Sequence, residues 1–302
     1  MLVLITGITG SLGQRLAKIA ISRGLSVRGL GRAPDKLSPE IFNQLDSFVQ
    51  IASYYDIDAL QKAVAGVDAI INAYAPTPVL DLDGHLLLIR AAERAHIKIF
   101  IASSWSRDWT NIKFGDFEHY NNHIAFEHQI AATSTIKPVY IFSGLFADLL
   151  FTPYGPGGFD TSGERPKMRY WGNGTADRWP WTTQDDAAEW TIDILLHGEG
   201  VTEGRGGVFK FSSGVTTIKE LAETYELVFE TKVDVVREGS TEDLETKLAR
   251  LRQENRAGYF GYMSEAAAVL ASKGLWENRN VTVLPQFRKP TSLVQYLQST
   301  QK

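Results

Sequence analysis

Unbroken apolar runs alternate with segments whose apolar residues recur every three or four positions through the first half of the chain. The run Leu2–Thr6 predicts a strand, and Gln14–Arg23 a helix ended by Gly24. Further strands are predicted at Ser26–Gly31, Asp46–Ile51, Ala69–Tyr74, Lys98–Ser103 and Pro138–Phe142. Helical patterns at Asp58–Val64, Gly84–Ala95 and Ile124–Ala132 fall between them. Strands that are apolar throughout are buried on both faces, so the alternation implies a parallel sheet with helices on either side. Right-handed crossovers then make a doubly wound, Rossmann-type α/β fold.

The pattern changes after Phe151. The stretch TPYGPGGFDTSGERP is a loop by composition. Helices recur at Thr183–Leu196, Thr217–Phe229 and Thr241–Gln253, and a strand at Val208–Phe211 is expected to return to the main sheet. This reads as residues 1–150 for the main domain and 151–302 for a smaller α+β substrate-side lobe partly interleaved with it.

Composition narrows the function classes. The 302 residues are 44% hydrophobic and 22% charged, which is ordinary for a globular protein, and the formal charge of −4 offers no basic excess for nucleic acid. With no cysteine there is no disulfide, thiolate metal site or cysteine nucleophile. No apolar run reaches the ~18 residues of a membrane helix, and no basic region precedes the first strand. The expectation is a soluble cytoplasmic protein, monomer or homodimer, acting on a small molecule rather than on nucleic acid or a membrane.

The first chemistry lies in LITGITGSLG, where Gly7, Gly10 and Gly13 follow the first strand and open the first helix. Gly7 lets the chain turn out of the strand. Gly10 lets a pyrophosphate approach the backbone, and Gly13 lets the helix pack closely. With Thr6, Thr9, Ser11 and Leu12 they form a dinucleotide-phosphate loop at a helix N-terminus. The second strand ends VRGLGR with no acid before Asp35, so the carboxylate that holds the ribose of NAD is missing. Arg32 is positioned for the 2′-phosphate of NADP(H), with Lys36 and Arg28 as helpers.

Several stretches resemble the NmrA-like family of atypical short-chain dehydrogenases, which includes isoflavone-reductase-like proteins. They are TGITGSLG, ALQKAVAGVDAIINAYA, LLLIRAAERAHIKIFIASSW, HYNNHIAFEHQI and IKPVYIFSGLF, with SYYDIDAL and SSWSRDW most similar to fungal members, many of which sit beside secondary-metabolite pathways. The resemblance implies an NADP(H)-binding fold but not one chemistry. Members include carbonyl reductases, reductases of double bonds or benzylic ethers, and non-catalytic redox sensors. The Tyr-x-x-x-Lys pair of many short-chain dehydrogenases is absent, because Ile124 follows four residues after Tyr120. The lysine of the isoflavone-reductase branch is also missing from Tyr120–His123, so the family's acid/base group cannot be carried over.

Ligands of open α/β sheets sit beyond the carboxyl ends of the strands. That selects Asn72–Pro76, with Ala73 and Tyr74 beside the cofactor, then Ser103–Trp109 and Ser143–Phe146. Ser103 and Ser104 are candidates to bond a substrate oxygen, with Ser103 also reaching the cofactor. Tyr120 and His123, one helical turn apart, are the candidate proton donors, and Lys113 is a third. Tyr74, Pro76, Trp105, Trp109, Ser143, Gly144, Phe146 and Trp171 are expected to line an apolar substrate pocket. His119, His123 and His128 are not spaced to share one helical face, so no metal is expected. The preferred activity is NADPH-dependent reduction of a ketone on an aromatic or polyketide-like metabolite. Reduction of an isoflavone-like C=C bond, NADP(H) sensing without turnover, and non-redox dehydration or cyclisation stay open.

Overall fold

The strand β1 (Leu2–Thr6) sends alternate side chains to opposite faces of its sheet: Val3 and Ile5 to one core, Leu4 to the other. The computed structural model describes residues 1–75, 77, 80–277, 281 and 288–301. From β1 the chain runs through α1 (Ser11–Ser22), β2 (Ser26–Gly31), the short α2 (Pro39–Phe42), β3 (Ser47–Gln50), α3 (Ile57–Val64), β4 (Ala69–Asn72), α4 (His85–Arg94) and β5 (Ile99–Ile101). It continues through α5 (Asn121–Thr133), β6 (Val139–Phe142), β7 (Leu145–Phe146), β8 (Lys167–Trp171), β9 (Trp179–Thr182), α6 (Gln184–His197) and β10 (Gly207–Lys210).

Seven of these strands make one sheet in the order β10-β6-β5-β4-β1-β2-β3. Each pairing is parallel. This is the doubly wound α/β fold, with the order reversing beside β1. On one face Leu16, Ala17 and Ala20 of α1 pack with Ala187, Ala188 and Trp190 of α6. On the other, Leu60 and Ala63 of α3, Leu88 and Ile89 of α4, and Phe126 and Ile130 of α5 cover Leu4, Ile70 and Phe100. The expected late strand does return: β10 lies parallel to β6 at the sheet edge.

The helix expected at Gln14–Arg23 starts three residues earlier, because Gly10 is its N-cap and Ser11–Gly13 already form its first turn. The last part of the chain holds more strands than its polar sequence suggests. After β11 (Gly214–Thr216) and α7 (Ile218–Phe229) comes β12 (Asp234–Gly239), which pairs parallel with β8. These edge strands mix charged and apolar residues, so no clean alternation marks them. Then follow α8 (Thr241–Asn255), α9 (Met263–Ser272) and α10 (Leu293–Thr300). A third core, built on Phe117, Tyr120, Phe142, Trp179, Leu244 and Trp276, joins α8 and α9 to the loops beyond β5 and β6. No helix among the described residues is long and apolar enough to cross a membrane.

Candidate active site

A groove of about 540 Å³ runs across the carboxyl ends of β1, β2, β4, β5 and β6. Its first part is the glycine loop. Gly7 has φ +64°, and a Cβ there would stand 2.3 Å from the carbonyl oxygen of Ala73, so only glycine fits against the end of β4. A Cβ on Gly13 would lie 2.3 Å from the Gly7 oxygen and 2.7 Å from Ile8 Cα. Gly13 therefore lets the helix fold onto its own preceding turn. Thr9, Gly10, Ser11, Leu12 and Gly13 face the groove. No side chain caps α1 and no acid stands in its first turn, so its amide donors and positive dipole end are available to an anion.

Arg32 and Lys36 line the groove beyond β2. Arg32 is exposed, and its guanidinium lies 5.1 Å from the centre of the Tyr54 ring, which lines the same wall. Arg28 is elsewhere. Its side chain donates to Ser47 Oγ (2.9 Å) and to the carbonyls of Ala63 (3.0 Å) and Ala65 (2.6 Å), closing the C-terminus of α3. It lies four residues earlier, towards the amino end of β2 and away from the groove, and cannot assist Arg32. Thr6 is fully buried and also leaves the cofactor set. Its hydroxyl donates to Asn72 Oδ1 (2.7 Å), tying the ends of β1 and β4 together beneath the glycine loop.

The far part of the groove gathers Ala73, Tyr74, Ser103, Trp105, Gly144 and Phe146 with His119, Tyr120 and His123. Ser103 is half-buried and its hydroxyl donates to the Tyr74 carbonyl (3.0 Å). Tyr120 Oη accepts the backbone N–H of Arg107 (3.2 Å), which leaves the phenol hydrogen free to donate. Ser104 touches the groove floor, but its hydroxyl donates to Ala102 O (3.1 Å) and accepts from Ile141 N (2.8 Å), so its one proton is used within the sheet. Lys113 is exposed in a turn, its amide on Asp116 Oδ2 (2.8 Å), and does not line the groove.

Other expected pocket residues lie behind the wall. Trp109 stacks on the back of His123, ring centres 6.2 Å apart and 8° from parallel. Ser143 is buried, its hydroxyl on the carbonyl of Gly144 (3.3 Å). Trp171 lines a second cavity of about 580 Å³ next to Asp177, Trp179 and Lys247. Pro76 lies outside the described residues.

Electrostatics changes the reading of the histidines. Burial pushes His123 well below the usual imidazole range, and His85 and His119 nearby push further. His123 is therefore neutral and is not a store of protons near neutral pH. Burial brings His85 down to about 4, and burial with the charge of Arg107 brings His119 to about 4. Burial raises the Asp81 carboxyl to about 8. His128 stands apart from these rings, its side chain 78% exposed to solvent. Among the described residues no group of three or more His, Asp or Glu is arranged to hold a metal ion.

One feature was not visible in the sequence. Arg107 lies at the inner wall of the groove, 4% exposed, between the indoles of Trp179 (5.0 Å) and Trp276 (4.9 Å). Its only sequence signal is its position just after β5; the residues that enclose it come from much later in the chain.

Comparison with known proteins places the chain. The model of the NmrA-like family matches residues 1–271. The probable pinoresinol-lariciresinol reductase 3 of Arabidopsis thaliana is 32% identical over 153 residues, 49% of this chain and 48% of that protein, so the match spans about half its length. The bifunctional pinoresinol-lariciresinol reductase of Linum usitatissimum is 26% identical over 235 residues, 74% of this chain and 73% of that one. The solved structure of AtPrR2 with NADP+ and (+)pinoresinol superimposes with a TM-score of 0.75 at 20% identity, covering 98% of this chain and 97% of that one, which is a likeness of fold.

Proposed function

The chain belongs to the NmrA-like family, and we propose from that premise that it is an NADP(H)-dependent reductase of a small aromatic metabolite, with a ketone as the preferred acceptor. The observation that carries the reading is the continuity of one groove. It joins an uncapped helix N-terminus and an exposed Arg32 to Ser103, Tyr120 and an aromatic wall. The names of the Arabidopsis and flax relatives, both reductases of aromatic compounds, support it.

The residues fit the cofactor by their own chemistry. The amides and hydroxyls of Thr9–Gly13 would hold the pyrophosphate, and Arg32 with Lys36 the 2′-phosphate. When bound, the reduced nicotinamide supplies the hydride that reduces a carbonyl carbon. This chain then has to receive the oxygen and give it a proton. Tyr120 Oη is the donor in this reading: its hydrogen is free, and the Arg107 amide keeps hold of its oxygen after the proton leaves. Neutral His123, one turn along α5, orders the ring from the side (5.7 Å between centres). Ser103 offers its remaining lone pairs and restricts where the substrate can lie. Trp105 and Phe146 supply apolar walls that exclude water.

The test is NADPH oxidation with a panel of aryl ketones and enones, followed by product identification. The expected product is the alcohol. Tyr120→Phe should lower turnover by about a hundredfold while NADPH binding stays at the wild-type level. Bound NADPH with no ketone reduced, or ketone reduction undiminished in Tyr120→Phe, would reject this assignment. Saturated C–C products would replace it with enone reduction.

A further inference from the structure

We propose that Arg107 is the recognition site for a carboxylate on the substrate, so that the ligand of this groove is an aromatic acid. The inference rests on the reductase reading for the word substrate, and on Arg107 itself for the acid.

Arg107 is a buried cation that no acid among the described residues neutralises. Every Asp and Glu side chain of the sequence lies among the described residues, and none pairs with Arg107. The nearest acids in sequence are already engaged: Asp108 with Lys210, Asp116 with the backbone N–H of Lys113 (2.8 Å), and Glu118 with Arg252 at 2.8 and 3.0 Å. Buried charges are ordinarily paired, because an isolated ion loses its hydration without compensation. The two indoles compensate only in part. They sit at cation–π distance from the guanidinium carbon, an attraction that spreads over the ring faces and does not replace hydrogen-bond acceptors for its N–H groups.

Those N–H bonds carry the specificity. Nε and Nη2 are both buried and have no hydrogen-bond partner. These two nitrogens present parallel N–H bonds along one edge, the fork that matches the two oxygens of a carboxylate. A third unpartnered buried atom, His119 Nδ1, belongs to the neighbouring ring that feels the Arg107 charge. Arg107 and His119 both line the groove beside Tyr120. The same residue that would hold the carboxylate gives its backbone amide to Tyr120 Oη. Acid recognition and proton delivery are thereby separated by one side chain, which favours acids whose reducible group lies close to the carboxylate.

The test uses the full chain saturated with NADP+, so that binding is measured without turnover. Benzoate, 3-phenylpropanoate and 4-phenylbutanoate are titrated against their primary amides by calorimetry, in wild type, Arg107→Met and Arg107→Lys. At least one acid should bind wild type tenfold or more tightly than its amide and raise its thermal midpoint. Arg107→Met should erase that preference without lowering the midpoint of the ligand-free protein, because it removes an unpaired buried charge. Arg107→Lys keeps the charge but loses the fork, and should retain only a small part of the preference. If Arg107→Met does not fold, Arg107→Lys decides by the same comparison. Acids and amides binding wild type alike, or a preference that survives both substitutions, overturns the proposal. Failure of NADP+ to bind in the first titration would reject the reductase reading instead, and the acid series without cofactor would still test Arg107.

Discussion

Arg32→Asp is expected to weaken NADPH binding about a thousandfold while changing NADH binding only severalfold. The magnitude has two parts. A charge-assisted hydrogen bond to a phosphate contributes about 1.5–3 kcal/mol, and a carboxylate placed against the 2′-phosphate adds repulsion of similar size. A sum of about 4 kcal/mol is roughly three decades in Kd. NADH lacks the phosphate and meets neither term. Arg32 is suited to the role because it is exposed, faces the groove and rests over Tyr54 without spending its donors there. Lys36→Ala should cost NADPH severalfold. Arg28→Ala should leave cofactor affinity alone and instead loosen the end of α3, since its bonds run to Ser47, Ala63 and Ala65. Parallel titrations with NADPH and NADH decide the matter, and equal losses for the two would remove Arg32 from the phosphate site.

That prediction was available from residues 2–36 alone, because the information is local. Glycine spacing, a strand before it, a helix after it and the residue type at the end of β2 all lie within one βαβ unit. Arg28 shows the limit even there. Arg28 and Arg32 are four residues apart, towards opposite ends of β2, and the spacing of charges does not reveal that only the later one meets the groove. The substrate end is less legible for a stronger reason. Arg107 sits in SSWSRDW, a polar, loop-like stretch, and nothing adjacent marks it as buried. Trp179 and Trp276 bury it from segments more than seventy residues away. The same long-range packing turned Trp109 into the back wall of His123 and gave Trp171 to a second cavity. It also silenced His123 as an acid: an imidazole in the sequence titrates near 6.5, whereas this one is walled in by Trp109, Tyr120 and His85.

The buried histidines predict a protein most stable near pH 6.5 that loses stability steeply as pH falls towards 4. His85 explains the chemistry. Its ring is 1% exposed, Nδ1–H donates to the Asp81 carbonyl (3.0 Å), and Nε2 accepts the backbone N–H of Ser103 (3.3 Å). A second proton would set two donors against each other at Nε2. The native state therefore refuses a proton that the unfolded chain takes below 6.5, and stability contributed by the neutral ring is present above 6.5 and lost as pH falls to about 4. That shift amounts to about 3 kcal/mol for His85, and His119 with the same displacement contributes a comparable amount. His123 acts in the same direction. Asp81 acts oppositely: its carboxyl stays protonated in the fold up to about 8, so it costs stability progressively as pH rises from 3.8 to 8. Between 6.5 and 4 the three histidine losses outweigh what Asp81 and Asp177, a second carboxyl raised by burial, recover. The net from His85, His119 and Asp81 is on the order of 3 kcal/mol, to which His123 adds in the same direction, a large fraction of the stability of an ordinary domain. Above 6.5 Asp81 alone slopes the curve downward, and Asp81→Asn should flatten that limb. The carboxylates that ion pairs and hydrogen bonds hold low, such as Asp160 at about 2, lose their contribution only below the usual carboxylate range and do not shape this window. Urea unfolding at half-unit intervals from pH 4 to 8 measures the slope, which counts the protons taken up on unfolding. A curve flat from 6.5 to 4 would mean that the rings open to water without unfolding the chain, and the groove would then have to be drawn as a hydrated cleft rather than an apolar one.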